Sequence, residues 1–223
     1  MKNIVIMIGA PGSGKGTQAK LAAQRHQFLH ISSGDLLRSL AIKKKLNASE
    51  KKAVNLMRQG KLVPDRIIFG LVFERIIFGL KNNNGVVLDG AVRNLEQAKG
   101  FRQFFEDNSF ENQVLVLEIH ISDEESFDRL TKRRVCVKCG EIIPWLPATK
   151  NFKVCAKCGG DLKARQDDGA MVIKERIKKQ GNAAIKKILE YYKKIGKIEK
   201  INGEQDIGKV QQDIDRVLRN YVD

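Results

Sequence analysis

The stretch GAPGSGKGT at residues 9–17 has the residue types and the spacing of a loop that binds phosphate groups. Gly9, Gly14 and Lys15 satisfy the pattern G-x-x-x-x-G-K, although Gly16 stands where that pattern has Ser or Thr. Glycines let backbone N–H groups turn inward around phosphate oxygens, and a helix that begins near Lys15 directs the positive end of its dipole at the same anion. The stretch therefore predicts a nucleoside triphosphate site, in which Lys15 bridges the β- and γ-phosphates and Thr17 offers its hydroxyl.

The four cysteines of the chain form the pattern C-x2-C-x15-C-x2-C, which is typical of a zinc ribbon. Two disulfide bonds or a redox pair are the alternatives, but structural disulfides are rare in intracellular chains and neither pair opens a helix after a strand. A tetrahedral metal site is predicted, with zinc as the ion and iron as the alternative. Four thiolate ligands leave no position for a catalytic water, so the site is structural. Its predicted ligands are Cys136, Cys139, Cys155 and Cys158.

The elements that must position these residues follow from the hydrophobic pattern. Residues 2–8 are mostly branched apolar side chains, typical of a parallel strand covered on both faces, and the phosphate loop and a helix follow. These flanking elements disfavour the alternative that residues 9–17 are a glycine-rich turn without a ligand. Strands that alternate with helices predict a doubly wound α/β fold. The further predicted strands are 85–88, 114–121 and 197–201, and the predicted helices are 15–26, 35–46, 49–59, 65–80, 94–107, 123–133, 170–195 and 206–221.

The composition limits the classes of partner. The 223 residues suit one domain, and 41 Lys and Arg against 26 Asp and Glu give a net charge of +15, which attracts polyanions at low salt. The lysines are scattered, and aromatic residues make up only 6%, so a site for small phosphorylated ligands is favoured over a nucleic-acid interface. The sequence shows no signal peptide and no apolar run long enough for a bilayer, which predicts a cytoplasmic protein without a membrane partner.

Several stretches, in order and spacing over nearly the whole chain, resemble the adenylate kinase family. They are GAPGSGKGTQAKLAA at 9–23, ISSGDLLR at 31–38, GKLVPD at 60–65, VVLDG at 86–90, DRLTKRRVC at 128–136, the two Cys-x-x-Cys pairs, RQDD at 165–168 and INGEQD at 201–206. The resemblance implies reversible phosphoryl transfer from Mg·ATP to AMP, giving two ADP. It also implies a P-loop core with a doubly wound parallel sheet at 1–31, 63–131 and 169–223, and two mobile insertions, an AMP-binding segment at 32–62 and a zinc-binding lid at 132–168.

The resemblance also implies a set of site residues. ATP would contact Gly12, Ser13, Gly14, Lys15, Gly16, Thr17, Arg129, Arg133 and Gln205, and Asp89 would order the waters of Mg²⁺. AMP would contact Ser33, Arg38, Lys61, Leu62, Val63, Gly90, Arg93, Gln97, Arg165 and Arg176. The transfer would depend on Lys15, Arg93, Arg133, Arg165 and Arg176. Such a set suits the chemistry, because charge that spreads over a transferred phosphoryl group is stabilised by cations held in place.

The identity of the acceptor depends on Gln97, whose amide can pair bidentately with adenine. Relatives that use CMP or UMP typically have Asn there, so AMP is the predicted acceptor and a CMP or UMP kinase is the alternative. An alternative from a different class is a P-loop protein whose zinc ribbon binds nucleic acid. Only Trp145 and Phe152 could stack on bases near the cysteines, which disfavours that class.

Three positions depart from the pattern of the family. Ala91 and Val92 stand where the family has Phe and Pro, which predicts a weaker or more mobile AMP site that Arg93 still reaches. Lys132 replaces the usual glycine at the start of the lid and predicts stiffer lid motion. Nothing in the apolar pattern suggests an oligomer, so a monomer is expected. The histidines fit no metal or triad spacing, and a structural role is predicted for His26, His30 and His120.

Overall fold

A computed structural model of the chain describes residues 3–43, 45–83, 85–145, 149–165, 169–196 and 198–222. The strands are β1 (Ile4–Ile8), β2 (Phe28–Ser32), β3 (Gly85–Asp89), β4 (Val114–His120), β5 (Arg134–Cys136), β6 (Ile142–Ile143), β7 (Leu162–Ala164) and β8 (Ile198–Asn202). The helices are α1 (Lys15–His26), α2 (Ser33–Ala41), α3 (Ala48–Arg58), α4 (Asp65–Asn82), α5 (Leu95–Asp107), α6 (Asp123–Lys132), α7 (Ala170–Gln180), α8 (Asn182–Lys194) and α9 (Ile207–Val222). A short 3₁₀ turn, Glu111–Gln113, precedes β4.

The described residues form a central sheet of five parallel strands in the order β2-β3-β1-β4-β8. Strand β1 lies in the middle, and all five of its side chains are buried, as a continuous apolar run requires. The chain order reverses at β1, which pairs with β3 on one side and β4 on the other. Ligands of open α/β sheets bind at such a switch point, outside the carboxyl ends of the strands. The predicted doubly wound α/β class is therefore confirmed.

Helices cover both faces of this sheet and divide the core into two layers. On one face, α2, α3, α4, α5 and α8 contribute buried side chains to a large apolar cluster. On the other face, α1 and α9 pack against β1, β3 and β4 in a smaller cluster. Each strand therefore has apolar contacts above and below, and its carboxyl end is held rigidly where the phosphate loop begins.

The structure corrects three of the predicted elements. Strand β2 was not predicted, because its five residues FLHIS carry a polar residue, His30, in the middle of a short run. The predicted helix 170–195 is two helices, since Gly181 has an extended backbone with φ −79° and ψ −170° and separates α7 from α8. The predicted helix 35–46 begins earlier, at Ser33, and ends earlier, at Ala41. Lys197, where a strand was predicted to begin, lies outside the described residues.

A second, smaller sheet lies between α6 and α7 in the chain. Its three short antiparallel strands have the order β6-β5-β7. Cys136 ends β5, so this sheet carries the first predicted metal ligand. The segment predicted as the lid, 132–168, contains the whole sheet.

Among the described helices, none combines the length and the apolar character that spanning a lipid bilayer requires.

The contact between α1 and α9 depends on one buried acid, Asp215. Its carboxylate accepts hydrogen bonds from Arg25 Nη1 at 2.5 Å, His26 Nε2 at 3.2 Å and Gln211 Nε2 at 2.8 Å. We expect Asp215→Ala to lower the free energy of unfolding by about 2–3 kcal/mol, because the buried Gln211 and the half-buried His26 lose this acceptor and Arg25 loses its ion pair. Urea unfolding measures the change.

The control for Asp215→Ala is Glu96→Ala, which removes an exposed pair with Lys99 on α5. An exposed pair of this kind contributes less than about 0.5 kcal/mol. Equal losses of stability in the two variants would contradict the role of Asp215 as the link between α1 and α9.

Candidate active site

The phosphate loop connects β1 to α1 and has a backbone that only glycine adopts without strain. Gly12 and Gly14 have φ values of 83° and 90°, in the left-handed region. A Cβ at Gly9 would lie 2.4 Å from the carbonyl oxygen of Ile119, so no side chain fits there. Helix α1 then begins at Lys15 with no acidic residue in its first turn, which leaves the positive end of its dipole available to an anion.

Lys15 is the cation of this loop, and its surroundings make it an unusual one. Its Nζ donates to the carbonyl oxygen of Ala10 at 3.1 Å. Burial is the largest cause that lowers the pKa of Lys15, and the positive charges of Arg93, Arg176 and Arg133 act in the same direction, against the opposing effect of Asp89. The resulting pKa is about 8. The site therefore gathers positive charge that a phosphate group would neutralise.

One cleft at the carboxyl edge of the sheet collects most of the predicted site residues, although they come from segments far apart in sequence. The predicted residues that line it are Gly12, Ser13, Gly14, Lys15, Gly16, Thr17, Arg38, Asp89, Gly90, Arg93, Arg129, Arg133, Arg165, Arg176 and Gln205. Ile142 and Pro144, from the small antiparallel sheet and the residue after it, also line this cleft. The segment that carries the cysteines therefore lies over the phosphate loop in this structure.

Arg93 follows β3 and is held in place by three side-chain contacts. Its Nε donates to the carbonyl oxygen of Gly90 at 2.8 Å, its Nη1 to Gln180 Oε1 at 3.2 Å and its Nη2 to Ser33 Oγ at 3.3 Å. Ser33 is itself buried and donates to Gly90 at 2.5 Å. Polar contacts from α2, α7 and the loop after β3 thus converge on one guanidinium group.

The loop that carries Arg93 has a buried apolar part, made of the two residues that depart from the family pattern. Ala91 and Val92 both belong to the large core cluster. Packing against that cluster replaces the conformational restriction that a proline would provide. The predicted weakening of the AMP site stays a prediction.

A smaller pocket adjoins the cleft between α2, α3 and α7. Lys61 and Val63 line it, together with Arg38, Arg93 and Arg176. Apolar and small residues from α2 and α3 complete its wall: Leu37, Met57 and Gly60. Leu62, the remaining predicted residue of this stretch, is half-buried and lines neither pocket.

Like Leu62 and Ser33, Gln97 is a predicted residue that lines neither the cleft nor the smaller pocket. The side chain, 1% exposed, donates from Nε2 to Asp65 Oδ1 at 2.8 Å and accepts at Oε1 from the backbone N–H of Arg93 at 2.7 Å. Asn94 Nδ2 donates to the same Asp65 oxygen at 3.1 Å. The orientation of the Gln97 amide is therefore determined by α4 and by the loop after β3.

The far end of the cleft joins Arg129 on α6 to the loop after β8. Arg129 donates from Nε to Glu125 at 2.6 Å and from Nη1 to the carbonyl oxygen of Gly203 at 3.0 Å. Gln205 donates to Asp213 Oδ2 at 2.9 Å. Ile207 and Val210 of α9 line the same end of the cleft. A flat guanidinium opposite aliphatic side chains is a suitable place for a nucleotide base.

His30 is a cleft residue that the sequence did not indicate. It lies on β2, and its Nε2 is 3.9 Å from Asp89 Oδ2. Burial lowers the pKa of His30, which favours the neutral ring. The signal that could have identified it was β2 itself, since a strand at 28–32 pairs Ser32 with Asp89 and so places His30 two residues from the carboxyl edge of the sheet.

The four cysteines come together at one end of the small sheet. Their sulfur atoms all lie within 4.8 Å of one another. The sulfurs of Cys136 and Cys158 are 3.4 Å apart, and those of Cys139 and Cys155 are 3.7 Å apart. A disulfide would need about 2.05 Å, whereas tetrahedral thiolates with metal–sulfur bonds of about 2.3 Å lie about 3.8 Å apart. The cluster could therefore hold a metal ion, and no disulfide bond joins its four cysteines in this structure.

Comparisons with known proteins agree with this geometry. The sequence model of the adenylate kinase family matches residues 7–197. An adenylate kinase of Petrotoga mobilis is 38% identical over 218 residues, which cover 97% of this chain and 98% of that protein. An adenylate kinase of Desulfitobacterium hafniense is 38% identical over 94% of each chain. One of Listeria innocua is 34% identical over 97% of this chain and 99% of its own.

The pKa of Lys15 generates a prediction for the predicted triphosphate site. Protonated Lys15 attracts phosphate oxygens, so affinity for ATP is full below about pH 8 and falls as the pH rises through that value in the free protein. The affinity for ATP then falls by up to about tenfold per pH unit. The fall ends at the pKa of Lys15 in the ATP complex, which is higher because the bound phosphates stabilise the protonated amine. Calorimetric titration with ATP across this pH range measures the slope.

Two variants serve as controls for that slope. Lys15→Met should bind ATP more weakly and lose the pH dependence above pH 8, because the titrating group is gone. Thr17→Val removes a hydroxyl at the same site and should keep the dependence. A slope in Lys15→Met equal to that of the unchanged chain would show that another group titrates.

Proposed function

The chain belongs to the adenylate kinase family, and on that premise we propose that its cleft transfers the γ-phosphoryl group of ATP to AMP, reversibly, to give two ADP. The observation that carries the proposal is the convergence of Lys15 with Arg93, Arg133, Arg165 and Arg176 around one cleft. Phosphoryl transfer needs placed positive charge more than it needs a covalent partner. A CMP or UMP kinase and a nucleic-acid-binding P-loop protein are not favoured by the relatives.

We propose that ATP occupies the phosphate loop and the end of the cleft beside α9. The backbone N–H groups of residues 12–17 surround its phosphates, with Lys15 at the β- and γ-phosphates and Arg133 beside them. Its base lies between Arg129 and the apolar side chains of Ile207 and Val210, next to Gln205. Ser13 Oγ, which is buried without a partner among the described residues, lies in this loop and suits a phosphate oxygen.

The magnesium ion that accompanies ATP fits the oxygen donors of the site. Asp89 ends β3 at the carboxyl edge of the sheet and lines the cleft beside Thr17. Carboxylate and hydroxyl oxygens are the ligands that Mg²⁺ prefers, often through water. Asp89 would order those waters, and the ion would offset the charge of the phosphates.

We propose that AMP enters at the small pocket between α2, α3 and α7, which combines apolar walls with guanidinium groups. Arg38 and Arg93 would bind its phosphate in bidentate fashion, with Ser33 and Gly90 holding Arg93 in place. Lys61, Leu62 and Val63 would lie along the nucleoside. Arg165 and Arg176 would reach the group in transfer from the opposite side.

The choice of adenine as acceptor base depends on how Gln97 is held. Its amide oxygen and nitrogen each make one internal hydrogen bond, so the oxygen retains a second lone pair and the nitrogen a second hydrogen. This donor and acceptor pair matches the edge of adenine. Because Gln97 does not line the pocket in this structure, the wall between them must open when AMP enters.

The four cysteines are proposed to hold a structural zinc ion, with iron as the alternative. About thirty residues cannot bury a core of their own, and a bound metal supplies the missing folding free energy. The segment 132–168 would then move as one body, the lid, over a core of 1–31, 63–131 and 169–223, with 32–62 as the AMP-binding insertion. Closing over the cleft would exclude water that could otherwise hydrolyse ATP.

We propose that the protein is a cytoplasmic monomer that binds ATP, AMP and ADP.

Substrate choice tests the proposed reaction. Coupled ADP-formation assays compare AMP, CMP, UMP and GMP as acceptors at saturating Mg·ATP. We expect AMP to exceed the others in kcat/KM by at least about tenfold, because a buried amide rejects bases that cannot pair with it. Gln97→Asn should lower kcat/KM for AMP by about tenfold, since its shorter side chain cannot keep the bond to Asp65 and reach adenine.

Gln103→Asn is the matched control, because it makes the same change on the exposed side of α5. It should leave the preference unchanged. Equal turnover of CMP or UMP, or an equal loss in both variants, would contradict the assignment of Gln97 as the residue that reads the base.

Metal analysis tests the cysteine site. We expect one zinc ion per chain by elemental analysis, and Cys155→Ser should lose it and lower the melting temperature by at least about 5 °C, because metal binding is coupled to folding. Val154→Ser, which changes the exposed neighbour of Cys155, should retain both the metal and the stability. A metal-free chain with an unchanged melting temperature would contradict the proposal that a metal ion stabilises the segment 132–168.

A further inference from the structure

A second cavity lies at the opposite edge of the central sheet from the nucleotide cleft. It has a volume of about 250 Å³ and is enclosed by the second half of α5, the 3₁₀ turn, the start of β4 and the end of α8. Since β4 spans seven residues, about 20 Å separates this edge from the carboxyl edge. The lining residues are Arg102, Phe105, Glu106, Glu111, Asn112, Val114, Tyr192 and Ile195.

Buried polar atoms without hydrogen-bond partners mark places where a bound molecule could supply the missing hydrogen bonds. Among the described residues, seven buried side-chain nitrogen or oxygen atoms have no hydrogen-bond partner. Three of them belong to residues that line the nucleotide cleft: Ser13 Oγ, Gln18 Oε1 and His30 Nε2. Two others belong to residues that line the second cavity: Glu111 Oε2 and Tyr192 Oη. The same signature thus marks the proposed active site and this cavity.

The two atoms offer complementary hydrogen-bonding capacity. The Tyr192 side chain is 2% exposed, and burial raises the pKa of its hydroxyl above the usual range, so the group stays neutral and can donate or accept. Glu111 Oε1 accepts from Asn112 Nδ2 at 3.3 Å, which leaves Oε2 as an unused acceptor. Leaving such atoms unpaired in a buried setting is unfavourable, so a partner that enters the cavity gains their hydrogen bonds.

The size and walls of the cavity suit an organic molecule better than water alone. An apolar cavity of about 150 Å³ already admits benzene, and a water needs two to four polar partners. Here Phe105, Val114 and Ile195 provide apolar walls that give water no hydrogen bonds. A molecule with an aromatic or aliphatic ring could pack against these apolar walls. One polar group on it could bond to the unpartnered atoms of Glu111 and Tyr192.

Charge determines what that polar group is. One guanidinium and two carboxylates line the cavity, so its ionised groups carry one net negative charge although the chain as a whole carries +15. Arg102 already pairs with Glu106 at 2.6 Å, which leaves Glu111 as the carboxylate with an unused oxygen. An ammonium group has three N–H donors, so it suits both the charged acceptor Glu111 Oε2 and the neutral acceptor Tyr192 Oη.

We propose that this cavity binds a small molecule with a ring-sized apolar body and one primary ammonium group. The site does not depend on the proposed phosphoryl transfer, because no residue of the nucleotide cleft lines it.

The test is a titration of the full-length chain with phenethylamine, followed by NMR of the methyl groups of Val114 and Ile195. The neutral 2-phenylethanol and the anionic phenylacetate have the same ring and serve as comparison probes. We expect saturable binding of the amine and at least about tenfold weaker binding of the other two, since only the amine can form the charge-assisted bond. Saturation with ATP should leave the amine bound, because the two sites lie at opposite edges of the sheet.

Substitutions of Tyr192 and Glu111 test whether the amine binds to the two unpartnered atoms. Tyr192→Phe and Glu111→Gln should each weaken amine binding by about tenfold. Tyr192→Phe should fold at least as stably as the unchanged chain, because the lost hydroxyl had no partner. Glu111→Gln tests the second atom at a half-buried position. Tyr221→Phe, which removes a hydroxyl from the opposite face of the sheet, is the matched control and should bind the amine normally.

Three results would overturn the proposal. They are the absence of saturable binding at millimolar amine, equal binding of the alcohol or the acid, and unchanged binding in both cavity variants. Each would mean that the two unpartnered atoms do not select an ammonium group. A fourth result, displacement of the amine by ATP, would equally overturn the proposal, because the probe would then occupy the nucleotide cleft.

Discussion

The burial of cationic side chains at the carboxyl edge of the sheet is the constraint on which the rest of this structure depends. Burial, with smaller contributions from the charges of Arg93, Arg176 and Arg133, lowers the pKa of Lys15 to about 8. Rigid packing of β1 and β3 between two helical layers holds these cations at one edge of the sheet. The free energy of the core therefore maintains a site that is unfavourable when empty and favourable once it holds phosphate.

The small antiparallel sheet contributes Ile142 to the same cleft, but it is not stabilised by the main hydrophobic core. It has three short strands, and its cysteines replace a hydrophobic core with a cluster of four sulfurs. A unit stabilised by ligand bonds can keep its shape while it changes position, which a unit stabilised by contacts to the main core cannot do. Arg134 lies near Trp145 within it, 5.8 Å from the ring centroid, so a cation–π contact adds to this local stability.

Arg93 shows how packing compensates for a departure from the family pattern. The sequence lacks the proline and the phenylalanine expected beside it, yet Ala91 and Val92 enter the core, and contacts from Gly90, Ser33 and Gln180 orient the guanidinium. A backbone turn can be restricted by a ring or by burial of its side chains, and this chain uses burial. The local sequence does not show such an exchange, because Ser33 and Gln180 lie 60 and 87 residues from Arg93 along the chain.

The sequence by itself determined the doubly wound class, β1, the phosphate loop, the beginning of α1 and the grouping of the four cysteines. Each of these depends on residues that are close in sequence, through periodicity, glycine spacing or paired Cys-x-x-Cys motifs. Only the tertiary structure decided that β2 forms, that Gly181 separates α7 from α8, that His30 lines the cleft and that Asp65 holds Gln97 outside it. These features depend on partners brought together by the sheet and its helices, and no local pattern specifies which distant residues will meet.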